Sequence, residues 1–316
     1  MRMLITGSSG EIGTNLGIKL AEENIGALGV DKRANPWTNK FEYLVKNLTE
    51  YKLDEVKGKF DVVVYLAANA KVHDSVLKPE IAFENFVLTF NALEYCRKTS
   101  APVILASSRE VYGNIRTEIT EETQAEILST ESPHSASKVS SKVFVCTYSR
   151  SYGLPYIVFR FSNVYGRYDN DIERMERVIP LFINKISDNE PITIFGKDKV
   201  LDFSYVDDCI DGIVRGIAAV ISGRVRNETI NIAYGGGHSL ETIANDWRYA
   251  SRLMHPKTVL VFDDYWPGRT DAGAKVTVDD IDKSQYDVKC LFITDHFKKT
   301  DFGELTIKLI LVRKSR

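Results

Sequence analysis

The chain lacks a basic excess. Its 41 lysines and arginines against 43 aspartates and glutamates leave a formal charge of −2, so neither a nucleic-acid partner nor an acidic membrane surface is expected. It has only four cysteines, at positions 96, 146, 209 and 290, and none forms a Cys-x-x-Cys pair. That excludes a thioredoxin-like redox pair and gives no zinc-finger spacing. Reduced thiols in a cytoplasmic protein are the expectation. His73, His238, His255 and His296 show no ligand spacing, so no metal is expected. No run approaches the roughly 18 apolar residues that a transmembrane helix needs. No charged leader with a cleavage site precedes the first apolar run, so no signal peptide is expected. Internal repeats and low-complexity linkers are absent as well.

Within 316 residues, 44% of them hydrophobic, short apolar runs alternate with helical patterns. Residues 3–6, 26–30, 61–67, 103–106 and 156–160 read as buried strands. Residues 12–23, 79–97 and 138–152 read as helices between them. This βαβα alternation predicts an α/β fold, a Rossmann-type doubly wound parallel sheet with helices on both faces. The pattern loosens after about residue 167, where 174–186 and 207–222 read as helical and 193–195 and 229–232 as short strands. We therefore expect a dinucleotide-binding domain over 1–166, with later returns to it. A smaller substrate-binding and atypical C-terminal region is expected over 167–316.

Gly7-Ser-Ser-Gly10-Glu-Ile-Gly13 lies between the first strand and the first helix. The first glycine allows a sharp turn, the second lets a phosphate approach the backbone, and the third lets helix pack on strand. The helix N-terminus then offers N–H groups and a positive dipole end to a pyrophosphate. Plain strand–helix turns also carry glycines, but here an acidic residue follows. Asp31 ends the second strand 18 residues after Gly13. A carboxylate there accepts from both adenosine ribose hydroxyls and repels a 2′-phosphate, which favours NAD over NADP. Lys32 and Arg33 beside it pull the other way.

Further motifs follow in order: Asp61-Val-Val-Val-Tyr-Leu-Ala-Ala68, Asn85 in Glu-Asn-Phe-Val, Ala106-Ser-Ser-Arg-Glu-Val-Tyr-Gly113, Ser137-Lys138, Arg160-Phe-Ser-Asn-Val-Tyr-Gly166, and Leu201-Asp-Phe-Ser-Tyr-Val-Asp-Asp208. Over about residues 1–240 the chain resembles the extended short-chain dehydrogenase/reductases, specifically the NAD-dependent nucleotide-sugar epimerases and dehydratases. The resemblance implies that Gly7, Gly10, Ile12, Gly13, Asp31, Lys32, Leu66, Ala67, Ala68, Asn85, Lys138 and Phe161 meet NAD. It implies that Ser108 supplies a catalytic hydroxyl and binds substrate, and that Asn163 contacts a nucleotide sugar of the UDP- or dTDP-hexose class. In that family NAD takes a hydride, usually from the sugar C4, while a base removes the hydroxyl proton. Inversion or elimination then follows at the activated carbon. The helices over 79–97 and 138–152 resemble those that pair in the family's dimers, which implies a homodimer.

The chain departs from the family pattern at three places. Four residues before Lys138 the family carries tyrosine; here it is His134. Histidine titrates near pH 6.5, so it can take a proton without help, but its ring is shorter than a phenol and Lys138 pushes its pKa down. Three readings follow: a working histidine base, a weakened enzyme, or a catalytically impaired protein that binds NAD and nucleotide sugar. Glu110, two residues after Ser108, matches the acidic position of family dehydratases and decarboxylases. Arg109 stands where the 4,6-dehydratases use an aspartate, and arginine cannot supply that proton. A charged pair at a loop start is the plainer account of both. A C4 epimerase is therefore the first expectation, with dehydratase or decarboxylase next. Third, Leu201 replaces an arginine that meets the nucleotide phosphates, leaving Lys197, Lys199 and Arg167 as candidates.

Beyond Leu240 the match fades. Residues 257–262, 286–292 and 304–311 read as strands, and residues 245–316 bear a weak resemblance to the last strands of a sugar O-methyltransferase. The glycine motif for S-adenosylmethionine is absent upstream, so no methyl transfer is expected. Asp263 and Asp264 read as a strand-end pair making turn contacts rather than metal ligands. Trp247 and Trp266 read as core or interface anchors.

Overall fold

The computed structural model describes residues 1–113, 130–169 and 201–236, and the backbone of three further strands over 259–265, 286–300 and 303–314. In chain order the first part runs β1 (Arg2–Thr6), α1 (Glu11–Glu22), β2 (Gly26–Asp31), β3 (Glu42–Val45), β4 (Val62–Tyr65), α2 (Val72–Leu77), α3 (Glu80–Thr99), β5 (Val103–Ser108) and α4 (Pro133–Tyr152). It continues with β6 (Tyr156–Phe161), β7 (Asn163–Tyr165), β8 (Phe203–Tyr205), α5 (Val206–Ile221) and β9 (Glu228–Ile232). The helix read at 174–186 and the strand read at 193–195 lie outside the described residues.

Seven strands form one sheet in the order β3-β2-β1-β4-β5-β6-β9, and every pairing in it is parallel. Such a sheet must be covered on both faces, so its strands read as continuous apolar runs rather than alternating ones. One core cluster sets Leu4, Val63, Leu105 and Val158 against Leu88 and Leu93 of α3 and Val145 of α4. The other sets Met3, Ile5, Val64, Ile104 and Ile157 against Leu16 and Leu20 of α1 and Ile213 of α5. Alternate residues of each strand thus feed opposite layers. The strand order reverses at β1, between β2 and β4. In such sheets the crevice outside the carboxyl ends at that point receives ligands. Gly7 and Leu66, which follow β1 and β4, flank it.

The α4 helix starts five residues earlier than the apolar pattern suggests. Ser132 caps it, Pro133 fills its first turn, and Ser135 reciprocates as the other half of a capping box. Polar side chains in that turn concealed the helix, because a cap satisfies backbone groups rather than adding apolar periodicity. No described helix is long and apolar enough to cross a membrane.

By compactness the chain divides into Met1–Met175 with Phe203–Gly235, and Glu176–Asp202 with Gly236–Arg316. Residues 203–235 therefore return to the first unit. The second unit contains β10 (Val259–Tyr265), β11 (Tyr286–Thr300) and β12 (Gly303–Lys314), antiparallel in the order β10-β12-β11.

Candidate active site

At the β1 turn, Gly7 has φ +73°, and a Cβ on it would lie 2.8 Å from the backbone of Leu66 and Ala67. Gly13 permits an equally close approach: its Cβ would stand 2.3 Å from the Gly7 carbonyl oxygen. Gly10 differs, since its Cβ would meet only that same oxygen, at 3.4 Å. Two glycines thus let the chain pack on itself, and the third keeps the helix end open. No side chain caps α1 at Gly10, so the turn is not closed by a capping side chain. Ile12 lies in this turn. Asn35 ties the loop from below, donating to the Ser8 carbonyl at 3.2 Å and to Thr14 Oγ1 at 2.9 Å. An open, uncapped turn of this shape fits the pyrophosphate of a dinucleotide.

Asp31 braces the same loop. One carboxylate oxygen accepts from Ser9 N at 3.0 Å and the other from Arg33 N at 3.0 Å. A carboxylate oxygen has two lone pairs, so each can also accept from a ribose hydroxyl. Lys32 is exposed and leans across the crevice to Asn69 Oδ1, 3.3 Å away.

Asn69 organises the next layer. Its backbone N–H donates to Asn85 Oδ1 at 2.8 Å, and its carbonyl oxygen accepts from Asn85 Nδ2 at 3.3 Å. Asn85 Nδ2 also donates to Ser137 Oγ at 3.1 Å, and Ser137 Oγ donates to the His134 carbonyl at 2.7 Å. Asn85 is only 2% exposed and spends both amide hydrogens here. Its contribution is to lock the β4 loop to α4. The Asn69 carbonyl then lies 3.1 Å from His134 Nδ1. A carbonyl oxygen only accepts, so in the neutral ring Nδ1 carries the hydrogen and Nε2 keeps a lone pair. His134 N donates to Ser75 Oγ of α2 at 3.2 Å, and the residue is 3% exposed. Burial, then the nearby Lys138 charge, hold its pKa down to about 4, against a smaller opposing effect of the Asn69 carbonyl.

Lys138 follows one turn later on α4. Its Nζ donates to the Ala106 carbonyl of β5 at 3.0 Å, and burial lowers its pKa to about 8. Ser108 ends β5, and its Oγ accepts from Glu110 N at 3.2 Å, which leaves the O–H to donate. Glu110 is paired with Arg109 at 3.0 Å. Arg109 Nε also donates to Asn163 Oδ1 at 3.2 Å. The charged pair read at the loop start is therefore present, and it reaches the β7 asparagine as well.

Gly7, Gly10, Gly13, Asp31, Leu66, Ala67 and Ala68 all lie at or just beyond the carboxyl ends of β1, β2 and β4. Phe161 ends β6, and its ring packs in the core near Phe159, ring centroids 6.2 Å apart. Arg167 is held by Asp207 at 2.5 Å. Leu201 belongs to the second unit, and Lys197 and Lys199 lie outside the described residues. Sequence reasoning missed Asn69 and Asn35. No local signal marked them, since an asparagine after a strand is ordinary turn chemistry.

The family model for the NAD dependent epimerase/dehydratase family matches residues 3–233. An uncharacterised UDP-glucose epimerase of Bacillus subtilis is 29% identical over 285 residues, covering 84% of this chain and 85% of that protein. The dTDP-glucose 4,6-dehydratase 1 of Escherichia coli is 35% identical over 199 residues, covering 57% and 52%. The solved UDP-glucose 4-epimerase of Thermus thermophilus in complex with NAD superposes with a TM-score of 0.62 at 26% identity, covering 75% of this chain and 79% of that one. A glycine crevice at the switch point, an α4 lysine on β5 and a match over most of the chain all lead to one assignment: this chain belongs to the NAD dependent epimerase/dehydratase family.

Proposed function

We propose that the chain is a NAD-dependent epimerase acting at C4 of a nucleotide-bound hexose, with His134 in the proton acceptor's place. The carrying observation is the His134–Asn69 contact, which fixes the tautomer and leaves Nε2 as an acceptor one helical turn before Lys138. When bound, NAD supplies a reversible two-electron acceptor. Gly7, Gly10, Ile12 and Gly13 would receive its pyrophosphate, Asp31 and Lys32 its adenosine ribose, and Leu66, Ala67 and Ala68 would wall the crevice. His134 Nε2 takes the proton of the sugar hydroxyl, and the Ser108 O–H donates to the same oxygen. The Lys138 ammonium favours the developing negative charge there. Asn85 is a positioning residue acting through Asn69, and Asn163 meets the sugar nucleotide. Residues 1–166 would hold the cofactor, and the chain from 167 onward would carry the substrate-specific part.

The Arg109–Glu110 pair favours inversion over elimination, because Glu110 is already engaged and arginine cannot protonate a leaving hydroxyl. Incubation with UDP- and dTDP-hexoses tests this by mass spectrometry and NMR. An epimer of unchanged mass is expected; loss of water or CO2 would overturn it in favour of the dehydratase or decarboxylase. A second reading has its own support. A base held to about 4 is poorly matched to a sugar hydroxyl at neutral pH, which fits a protein that binds NAD and nucleotide sugar without turnover. If His134→Tyr creates activity that the parent lacks, that second reading holds.

We further place the protein in the cytoplasm, supported by Cys96, Cys146 and Cys209, which form no disulfide. A homodimer through α3 and α4 is supported by exposed Phe83 and Phe90 on one and exposed Val143 and Phe144 on the other. Light scattering that returns one chain's mass at micromolar concentration would refute it.

A further inference from the structure

Between α4 and strands β5 and β6 lies a cavity of about 300 Å³, which shares Lys138 with the proposed reaction site but none of the glycine-loop residues. Lys138, Lys142, Arg150 and Arg160 line it together with Ser107 and Thr147, and among the described residues no carboxylate does. Arg160 is 5% exposed. Its Nη1 donates to the Tyr112 hydroxyl at 2.6 Å, and its guanidinium carbon lies 4.7 Å from the centre of that ring. Both contacts are to an uncharged group, and Tyr112 passes its own hydrogen on to Asn231 at 2.8 Å. Arg160 Nε is buried and has no hydrogen-bond partner among the described residues. Lys142 follows Lys138 by one helical turn, so both lie on the same side of α4. Burial and the Arg160 charge hold the Lys142 pKa below the usual lysine range.

Buried charges in folded proteins are paired or ligated, and an unpaired one is costly. A guanidinium beside an ammonium, with no acid among the described lining residues, combines that cost with like-charge repulsion. A planar guanidinium edge with an open N–H matches an oxyanion, and the Ser107 hydroxyl beside it adds a donor, whereas Thr147 Oγ1 already donates to the Val143 carbonyl at 2.9 Å. The volume stands at the lower end for ligand pockets, too small for a nucleotide. We propose that this cavity is a binding site for a small oxyanion, phosphate or a short carboxylate, held by Arg160 and Lys142 with Ser107 as a neutral donor. Arg160 and Lys142, which carry the site, have no part in the reaction proposed above.

Isothermal calorimetry tests it with inorganic phosphate and, separately, malonate as titrants. Chloride is held at matched ionic strength, and saturating NAD keeps phosphate off the glycine loop. One-to-one binding of at least one titrant is expected, and which one binds separates the two sources. Lys142→Glu places a carboxylate beside Arg160. It should weaken that binding by at least about tenfold, leave NAD affinity unchanged, and raise Tm in chloride alone. Lys142→Met removes the cation without adding an acid and should also weaken binding, which guards against a misfolded glutamate variant. Absence of binding by either titrant, or undiminished binding in both variants, would overturn the site.

Discussion

Two helices begin at the same edge of the sheet and begin in opposite ways. The first turn of α1 starts on Gly10 with no side-chain cap. The first turn of α4 starts on Ser132, closed by a capping box and a proline. An uncapped N-terminus keeps donors for something outside the chain; a capped one has spent them and is rigid. The open turn is suited to receive an anion, and the closed turn to hold side chains, His134 and Lys138, in fixed places. In the proposed function, cofactor binding and proton transfer therefore rest on different physics, and substitutions should separate them.

The largest break is expected at Gly13→Ala. The added methyl would lie 2.3 Å from the Gly7 carbonyl oxygen and 2.7 Å from Ser8 Cα, both backbone atoms that cannot step aside. Overpacking of that kind costs about 1–3 kcal/mol, so Tm should fall and NAD binding should vanish in calorimetry. Gly10→Ala sharpens the contrast. With its nearest contact at 3.4 Å it should keep Tm and still lose NAD affinity, because the methyl enters the space left for phosphate. Equal thermal losses in the two variants would mean that Gly10 is packed, not open.

On the capped side, His134→Gln should keep NAD binding and lower kcat by about 10²- to 10⁴-fold, the usual contribution of a positioned base. An unchanged kcat would remove His134 from the chemistry. The kcat/KM profile should rise with a base limb near pH 4 and fall with an acid limb near pH 8, following His134 and Lys138 rather than free histidine near 6.5.

The same burial gives a stability signal. With the folded pKa of His134 below its unfolded value, the unfolded chain binds more protons between about pH 6.5 and 4. Stability is then full above that window and lost as pH falls through it. The loss attributable to His134 is on the order of 3 kcal/mol. Urea titrations of the parent and His134→Gln should converge as pH falls from 7 to 4. Parallel curves would show that the histidine is not buried neutral.

These residues also show how much was legible beforehand. The parallel sheet, the glycine loop and Asp31 could be read because each is a local pattern: an apolar run, a spacing, a charge at a strand end. The start of α4 could not, since a serine–proline cap carries no apolar period. Asn69 was hidden for another reason. Its importance lies in joining α3, α4 and the β4 loop, contacts separated by up to 65 residues that no short window contains. Phe161 was hidden in another sense: it stands in a motif read for binding, and the motif did not announce that its ring packs in the core.

Ser132→Ala tests the cap itself. Losing an N-cap acceptor costs about 1 kcal/mol, and Ser132 Oγ accepts from Ser135 N at 3.1 Å. A Tm drop of a few degrees is expected, with kcat falling if the first turn frays and moves His134. A drop in Tm with full kcat would show that Ser75 and Asn69 hold the histidine without the cap.

The smallest effect belongs to Arg109→Ala. The pair with Glu110 is partly exposed, 40% and 32% by side chain, and such pairs contribute about 0–1 kcal/mol. Stability should hardly change. The chemistry is the sharper readout, because the substitution frees Glu110 two residues after Ser108 and releases Asn163 Oδ1 from the Arg109 contact. If arginine restrains an otherwise usable acid, the variant should form a dehydrated side product that the parent does not, detected by mass spectrometry. If the parent and Arg109→Ala give the same epimer and nothing else, Glu110 has no elimination role to restrain, and the choice of reaction rests on the α4 turn alone.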